Sequence, residues 1–179
     1  MGKRTPDHGY NGPMLILALL GCTGGSDLAG CADTGACPCE TPSVVVGGGD
    51  VEFVALEDGD PTTIVFGAQG GWHILGAAYM TNFDPVVNIH YTVVVEATGA
   101  VVADNNYRVQ MKADGDCAGF YPGMYGYLDV REIVDGEADT PPELLGGEQL
   151  RLTMDVTDLV GRAGTDSLLV VGELDPHDL

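Results

Sequence analysis

The chain is 179 residues long with 27 acidic and only 7 basic side chains, a formal net charge of -20. That length suits one domain with accessory segments, and an apolar fraction of 45% excludes wholesale disorder despite the charge. So few cations exclude binding to nucleic acid by counterion release, and the same charge repels anionic membrane surfaces.

The amino end carries Lys3 and Arg4, then a polar stretch, then the apolar run Met14-Leu-Ile-Leu-Ala-Leu-Leu20, then Gly21-Cys22. A basic start, a short apolar run and a small residue are the parts of a secretory signal, and the run is too short for a helix to span a bilayer. Leu19-Leu20-Gly21-Cys22 resembles the lipobox of bacterial lipoproteins. That resemblance implies removal of residues 1–21 as a signal peptide and attachment of a diacylglyceryl group, with further acylation such as palmitate, to Cys22. Two or three acyl chains hold a soluble domain at a membrane where one does not. Thr23, rather than Asp, follows the acylated position, which by analogy with Gram-negative sorting implies the outer membrane of the cell envelope.

Residues 22–43 are rich in Gly, Cys, Thr and Asp, with scarcely any large apolar side chain, and read as a flexible tether. With Cys22 acylated, Cys31, Cys37, Cys39 and Cys117 remain, an even set that in an oxidising compartment defaults to disulfides. All three pairings stay open. The close Cys37-Pro-Cys39 spacing favours separate bonds from that pair to Cys31 and Cys117.

From Val44 the pattern turns to β-branched and aromatic runs punctuated by Gly, Asp and Pro. Strands are predicted at 51–56, 62–68, 72–80, 87–97, 101–113, 149–156 and 167–173. Short strands at this spacing predict an all-β fold, a single antiparallel sandwich of about seven strands over 44–179. In Gln149-Leu-Arg-Leu-Thr-Met-Asp-Val156, strict alternation sets Leu150, Leu152, Met154 and Val156 on the buried face. Pro141-Pro-Glu-Leu-Leu145 predicts one short helical turn. The stretch from Leu152 through Val-Thr-Asp158 and Gly161 to Val171 resembles the closing hairpin of immunoglobulin-like, polycystic-kidney-type domains, which implies an immunoglobulin-like topology. With Gln69-Gly-Gly-Trp-His73, the whole pattern is similar to uncharacterised predicted lipoproteins of myxobacterial type.

The interval 114–147 breaks the strand rhythm and reads as a long loop insertion. Its Phe120, Tyr121, Tyr125 and Tyr127 are expected to cover one end of the sandwich; the alternative is an exposed aromatic surface for a glycan or protein partner. Trp72 is expected in the core, on one face with Ile74, Ala78 and Met80. His73 and His90 fall on neighbouring predicted strands that bring them within reach across a ladder, without the further ligands that zinc needs.

Asp58, Asp60, Asp114 and Asp116 pair carboxylates on Asp-Gly-Asp turns, and Asp155, Asp158 and Asp166 surround the last hairpin. Calcium takes such oxygens, but neither turn follows the EF-hand spacing, and Asp-Gly is common turn chemistry. Solvated turns are therefore expected, with a calcium-dependent adhesion module as the alternative. No catalytic motif is present: none of Ser26, Ser43 and Ser167 lies in Gly-x-Ser-x-Gly, and there is no phosphate loop or His-Glu-x-x-His. An envelope hydrolase with spatially paired carboxylates is a third reading that spacing does not address. The function expected is therefore a lipid-anchored structural or binding module with no cofactor.

Overall fold

A computed structural model describes residues 40–67, 70–115, 117–131, 133 and 140–175. The proposed lipid site Cys22, the tether cysteines Cys31, Cys37 and Cys39, and Asp116 lie outside the described residues.

The fold is all-β, with strands β1 (Ser43–Gly48), β2 (Val54–Ala55), β3 (Pro61–Phe66), β4 (Trp72–Thr81), β5 (Val86–Val95), β6 (Val101–Gln110), β7 (Lys112–Ala113), β8 (Ala118–Tyr127), β9 (Gln149–Asp158) and β10 (Ala163–Leu174). One five-residue helix, α1 (Pro141–Leu145), stands where the two prolines predict it. Hydrogen bonding runs β2-β1-β4-β3-β10-β9-β5-β6, and β8 adds to the other edge of β4. One edge of β4 is shared: its first half pairs with β3 (Val65 opposite His73) and its second with β1 (Val46 opposite Ala78).

The sheet curls into a sandwich in which β4 and β8 face β5, β9 and β10 across one core. The alternation read in β9 is realised: Leu150, Leu152, Met154 and Val156 are all buried, opposite Val95, Val93, Tyr91 and Ile89 of β5. Trp72 packs edge-on to Phe66 at the margin of this core, with ring centroids 5.0 Å apart. The Tyr91 ring is seated against two glycines: a Cβ on Gly76 of β4 would lie 2.8 Å from its Cζ, and one on Gly126 of β8 would lie 3.0 Å from its Cε1. Burial also pushes the Tyr91 hydroxyl well above the ordinary tyrosine range.

Three expectations are corrected. The interval 114–147 is not one loop, since it contains the ten-residue strand β8, paired along β4 from Thr81 opposite Ala118 to His73 opposite Tyr127. The all-β, antiparallel-rich sandwich is as expected, with one parallel pair, β3 and β10, running from Val171 opposite Pro61. The predicted strand at 51–56 shrinks to the two residues of β2, and a longer strand, β1, forms from Ser43, the last residue of the expected tether. Segment 49–56 instead folds over the outer face of β1 and β4, where Phe53 packs on Tyr79.

His73 and His90 do not meet either. Their strands β4 and β5 are not hydrogen-bonded neighbours but opposed layers, and each histidine is on its layer's outer face. His90 is instead flanked by Asp104 at 2.8 Å and Asp155 at 3.7 Å.

Candidate functional site: an aromatic cleft on the outer face of β4 and β8

Alternation along β8 decides which aromatics reach solvent. Met124 and Gly126 point into the core, so Tyr125 and Tyr127 point out, 40% and 54% exposed. Phe120 and Tyr121 are only half-buried and belong elsewhere: Tyr121 packs against the core, and Phe120 lies under the Lys112 ammonium, 5.7 Å from it. The four aromatics expected to act together thus split into a packing pair and an exposed pair.

The exposed pair is held by the strand beyond it. Tyr107 of β6 donates its hydroxyl to the Tyr125 carbonyl, and the Tyr127 N–H donates to Asn105 Oδ1 at 3.0 Å. The Leu128 N–H donates to the Trp72 carbonyl at 2.9 Å and the Asp129 N–H to the Val102 carbonyl at 2.7 Å. Two β6 side chains therefore satisfy β8 backbone groups where no regular ladder runs.

The tyrosine rings stack at 5.6 Å with 20° between their planes. Beneath them His73 meets Tyr125 edge-to-face at 4.6 Å and 73°, and Tyr127 at 6.3 Å and 62°. Together with Phe66, 51% exposed, and Asp50, Val65, Gly67, Gly70 and Leu75, they enclose a cleft of about 390 Å³. Gly67 and Gly70 line one side, and the Gly67 N–H donates to the Gly71 carbonyl at 2.8 Å. Gly70 and Gly71 hold φ of 87° and 89°, a region that favours glycine.

His73 is 4% exposed, and its Nδ1 has no hydrogen-bond partner among the described residues. Burial holds its imidazole below the ordinary value of 6.5, so the ring is neutral at pH 7. Below that ordinary value the unfolded chain takes up a proton that the folded ring refuses, so this group's contribution falls as the pH drops through the window beneath 6.5. The wild type is expected to lose more thermal stability between pH 7.5 and pH 5.5 than His73→Phe does. Parallel melting curves at the two pH values measure the difference.

The remaining acidic candidates are engaged separately. Asp58 accepts from the Leu169 N–H at 2.9 Å, Asp60 from the Glu57 N–H at 2.8 Å, and Asp166 from the Val46 N–H at 2.8 Å, which caps the inner edge of β1. Asp114 hydrogen-bonds Tyr79, whose hydroxyl is thereby pushed up, and Asp155 stands beside His90. Asp158 is buried and saturated: it accepts from Arg162 Nε at 2.6 Å and from the backbone N–H groups of Asp84, Val160 and Arg162. Burial alone would raise its pKa, but these donors outweigh it and hold the carboxyl below the usual range. Among the described residues no three His, Cys, Asp or Glu side chains converge as a metal centre would need.

The residues that spacing did not single out are Asp50 and Phe66, which the β1–β2 connection and the end of β3 bring to the cleft. The period-two pattern of Tyr125 and Tyr127 around Gly126 was the available signal.

No family model matches the chain, and no curated protein matches it. Among solved structures, the CooA pilin subunit from enterotoxigenic Escherichia coli is similar at 13% identity and a TM-score of 0.36, covering 76% of this chain and 100% of that one. No helix among the described residues is long and apolar enough to cross a membrane.

Proposed function

We propose that this chain is a lipid-anchored envelope protein whose β-sandwich is a binding module, and that the aromatic cleft is its binding surface. The observation that carries the reading is the pair of exposed tyrosines and the exposed Phe66 gathered at a buried histidine whose Nδ1 has no hydrogen-bond partner among the described residues. Exposed aromatic groups with polar handles favour interfaces.

The layout of the domain supports it. The tether joins at one end of β4, where Asn82 Nδ2 donates to the Thr41 carbonyl at 3.2 Å and Ser43 pairs with Thr81. The cleft lies at the other end of that strand, at His73. Eight residues at the rise of an extended strand separate the two, about 26 Å. A tether from Cys22 would therefore enter the domain at the end of β4 opposite the cleft.

Cys117 lies at the tether end, its carbonyl accepting from the Asn82 N–H at 2.8 Å. In this reading it forms a disulfide with a tether cysteine and fastens the tether to the β7–β8 turn.

Cys22→Ala is expected to move the protein from the detergent phase to the aqueous phase on phase partitioning. Tyr125→Ala/Tyr127→Ala is expected to lower retention on isolated envelope material about tenfold, the scale of losing two interface anchors. Its thermal midpoint should fall only modestly, because the rings are 40% and 54% exposed, so a melting curve separates lost binding from lost folding. An unmoved Cys22→Ala protein removes the anchor, and equal retention by the double variant removes the binding surface.

A further inference from the structure

We infer that the cleft takes an organic cation, a quaternary or methylated ammonium group, an assignment that rests on its being the binding surface proposed above. The geometry carries the choice. A compact cation is held best by aromatic faces presented from more than one direction, because each ring offers its negative face. Here Tyr125, Tyr127 and Phe66, 40%, 54% and 51% exposed, line one cleft together with the Asp50 carboxylate, above the buried His73 ring.

The charges agree. Asp50 is the carboxylate on the rim, and no Lys or Arg lines the cleft among the described residues. The nearest ammonium described, Lys112, is turned onto the Val51 carbonyl at 2.7 Å. His73 is kept uncharged by burial, so it does not repel a cation. Its unpartnered Nδ1 lies at the base of the cleft against Gly67, where a Cβ would stand 3.3 Å from it. A net charge of -20 raises the local concentration of any cation and disfavours anionic ligands.

The described lining suits some ligand chemistries better than others. Oligosaccharides are recognised by stacking together with amide, carboxylate or guanidinium groups directed at their hydroxyls, and among the described lining only Asp50 is of those types. The bulky, weakly hydrated trimethylammonium group satisfies rings and carboxylate together.

The experiment titrates the full-length chain with choline and follows the fluorescence of Trp72, the only tryptophan, which lies edge-on to the cleft residue Phe66. Its uncharged carbon isostere 3,3-dimethylbutan-1-ol, a chitooligosaccharide and sodium chloride at matched ionic strength form the other arms. Choline is expected to give a saturable change at least tenfold tighter than the isostere. Tyr127→Ala should weaken it about tenfold and Asp50→Asn about threefold, both with at most a modest fall in thermal midpoint. Equal binding of choline and the isostere overturns the inference, because the charge would then contribute nothing. Saturation by the oligosaccharide alone overturns the ligand class and leaves the binding-module reading standing. So does the absence of any saturation while Tyr125→Ala/Tyr127→Ala still lowers envelope retention. If retention is also unchanged, both readings fall.

Discussion

Arg162→Ala is expected to lower the thermal midpoint by about 10 °C or more. Arg162 is buried between two carboxylates, donating from Nε to Asp158 Oδ2 and from Nη2 to Asp84 Oδ1, each at 2.6 Å. The Asp158 side chain is fully inaccessible. Removing one member of a buried ion pair leaves an uncompensated charge and costs about 3–5 kcal/mol. For a domain of this size each kcal/mol moves the midpoint by about 3 °C. The same logic fixes a control. Arg162→Met/Asp158→Asn removes both charges of the most buried pair while leaving one oxygen to accept from the backbone, so it should be less destabilised than Arg162→Met alone. If the double variant is the weaker one, the cost lies in lost backbone hydrogen bonds rather than in stranded charge. Because the Asp158 carboxyl is held below its ordinary value, this network stabilises the fold above the carboxylate range and is lost as the pH falls through the native value, well below the window governed by His73.

Gly76→Val is expected to destabilise by about 3 kcal/mol or more through overpacking, at the upper end of the usual range. A Cβ at this position would lie 2.6 Å from the Met154 methyl and 2.8 Å from Tyr91 Cζ. The methionine end can turn aside. The tyrosine ring cannot, because Gly126 closes on it from β8, and the branched valine methyls add to the crowding. Chemical denaturation should show a lower midpoint with an unchanged slope. A neutral result would mean that β4 and β8 do not close on Tyr91 as described.

Both positions show where the sequence was legible and where it was not. The inward row of β9 could be read directly because alternation over eight residues has one physical meaning when one face is buried. The two prolines and Glu143 likewise marked α1, where Thr140 and Glu143 form a reciprocal cap. β8 was illegible for the opposite reason. Ala118–Tyr127 holds three glycines and a proline, residues that lack strand propensity when weighed alone. Two of those glycines are required by neighbours remote in sequence: Gly126 admits the Tyr91 ring, and a Cβ on Gly119 would lie 2.7 Å from the Lys112 carbonyl. Tertiary contact, rather than propensity, makes that segment a strand.

The site followed the same division. Tyr125 and Tyr127 were visible as candidates, but their separation from Phe120 and Tyr121 depends on the pleat of a strand that was read as a loop. His73 and His90 appeared to be neighbours because consecutive strands usually pair. Here β4 takes β8 as its partner, and β5 turns to β6 and β9. The carboxylate on the cleft rim, Asp50, comes from a turn with nothing in its local sequence to distinguish it from other acidic turns.

The account stands on β8 lying beside β4 in the observed register, since only that register sets the tyrosine pair over His73. Two-dimensional nuclear Overhauser spectroscopy of the aromatic protons tests it most directly. Cross-peaks are expected between the His73 and Tyr125 rings, whose centroids are 4.6 Å apart, together with slow amide exchange through 118–127. Absent cross-peaks, with the 118–127 amides exchanging as fast as an exposed loop, would contradict it.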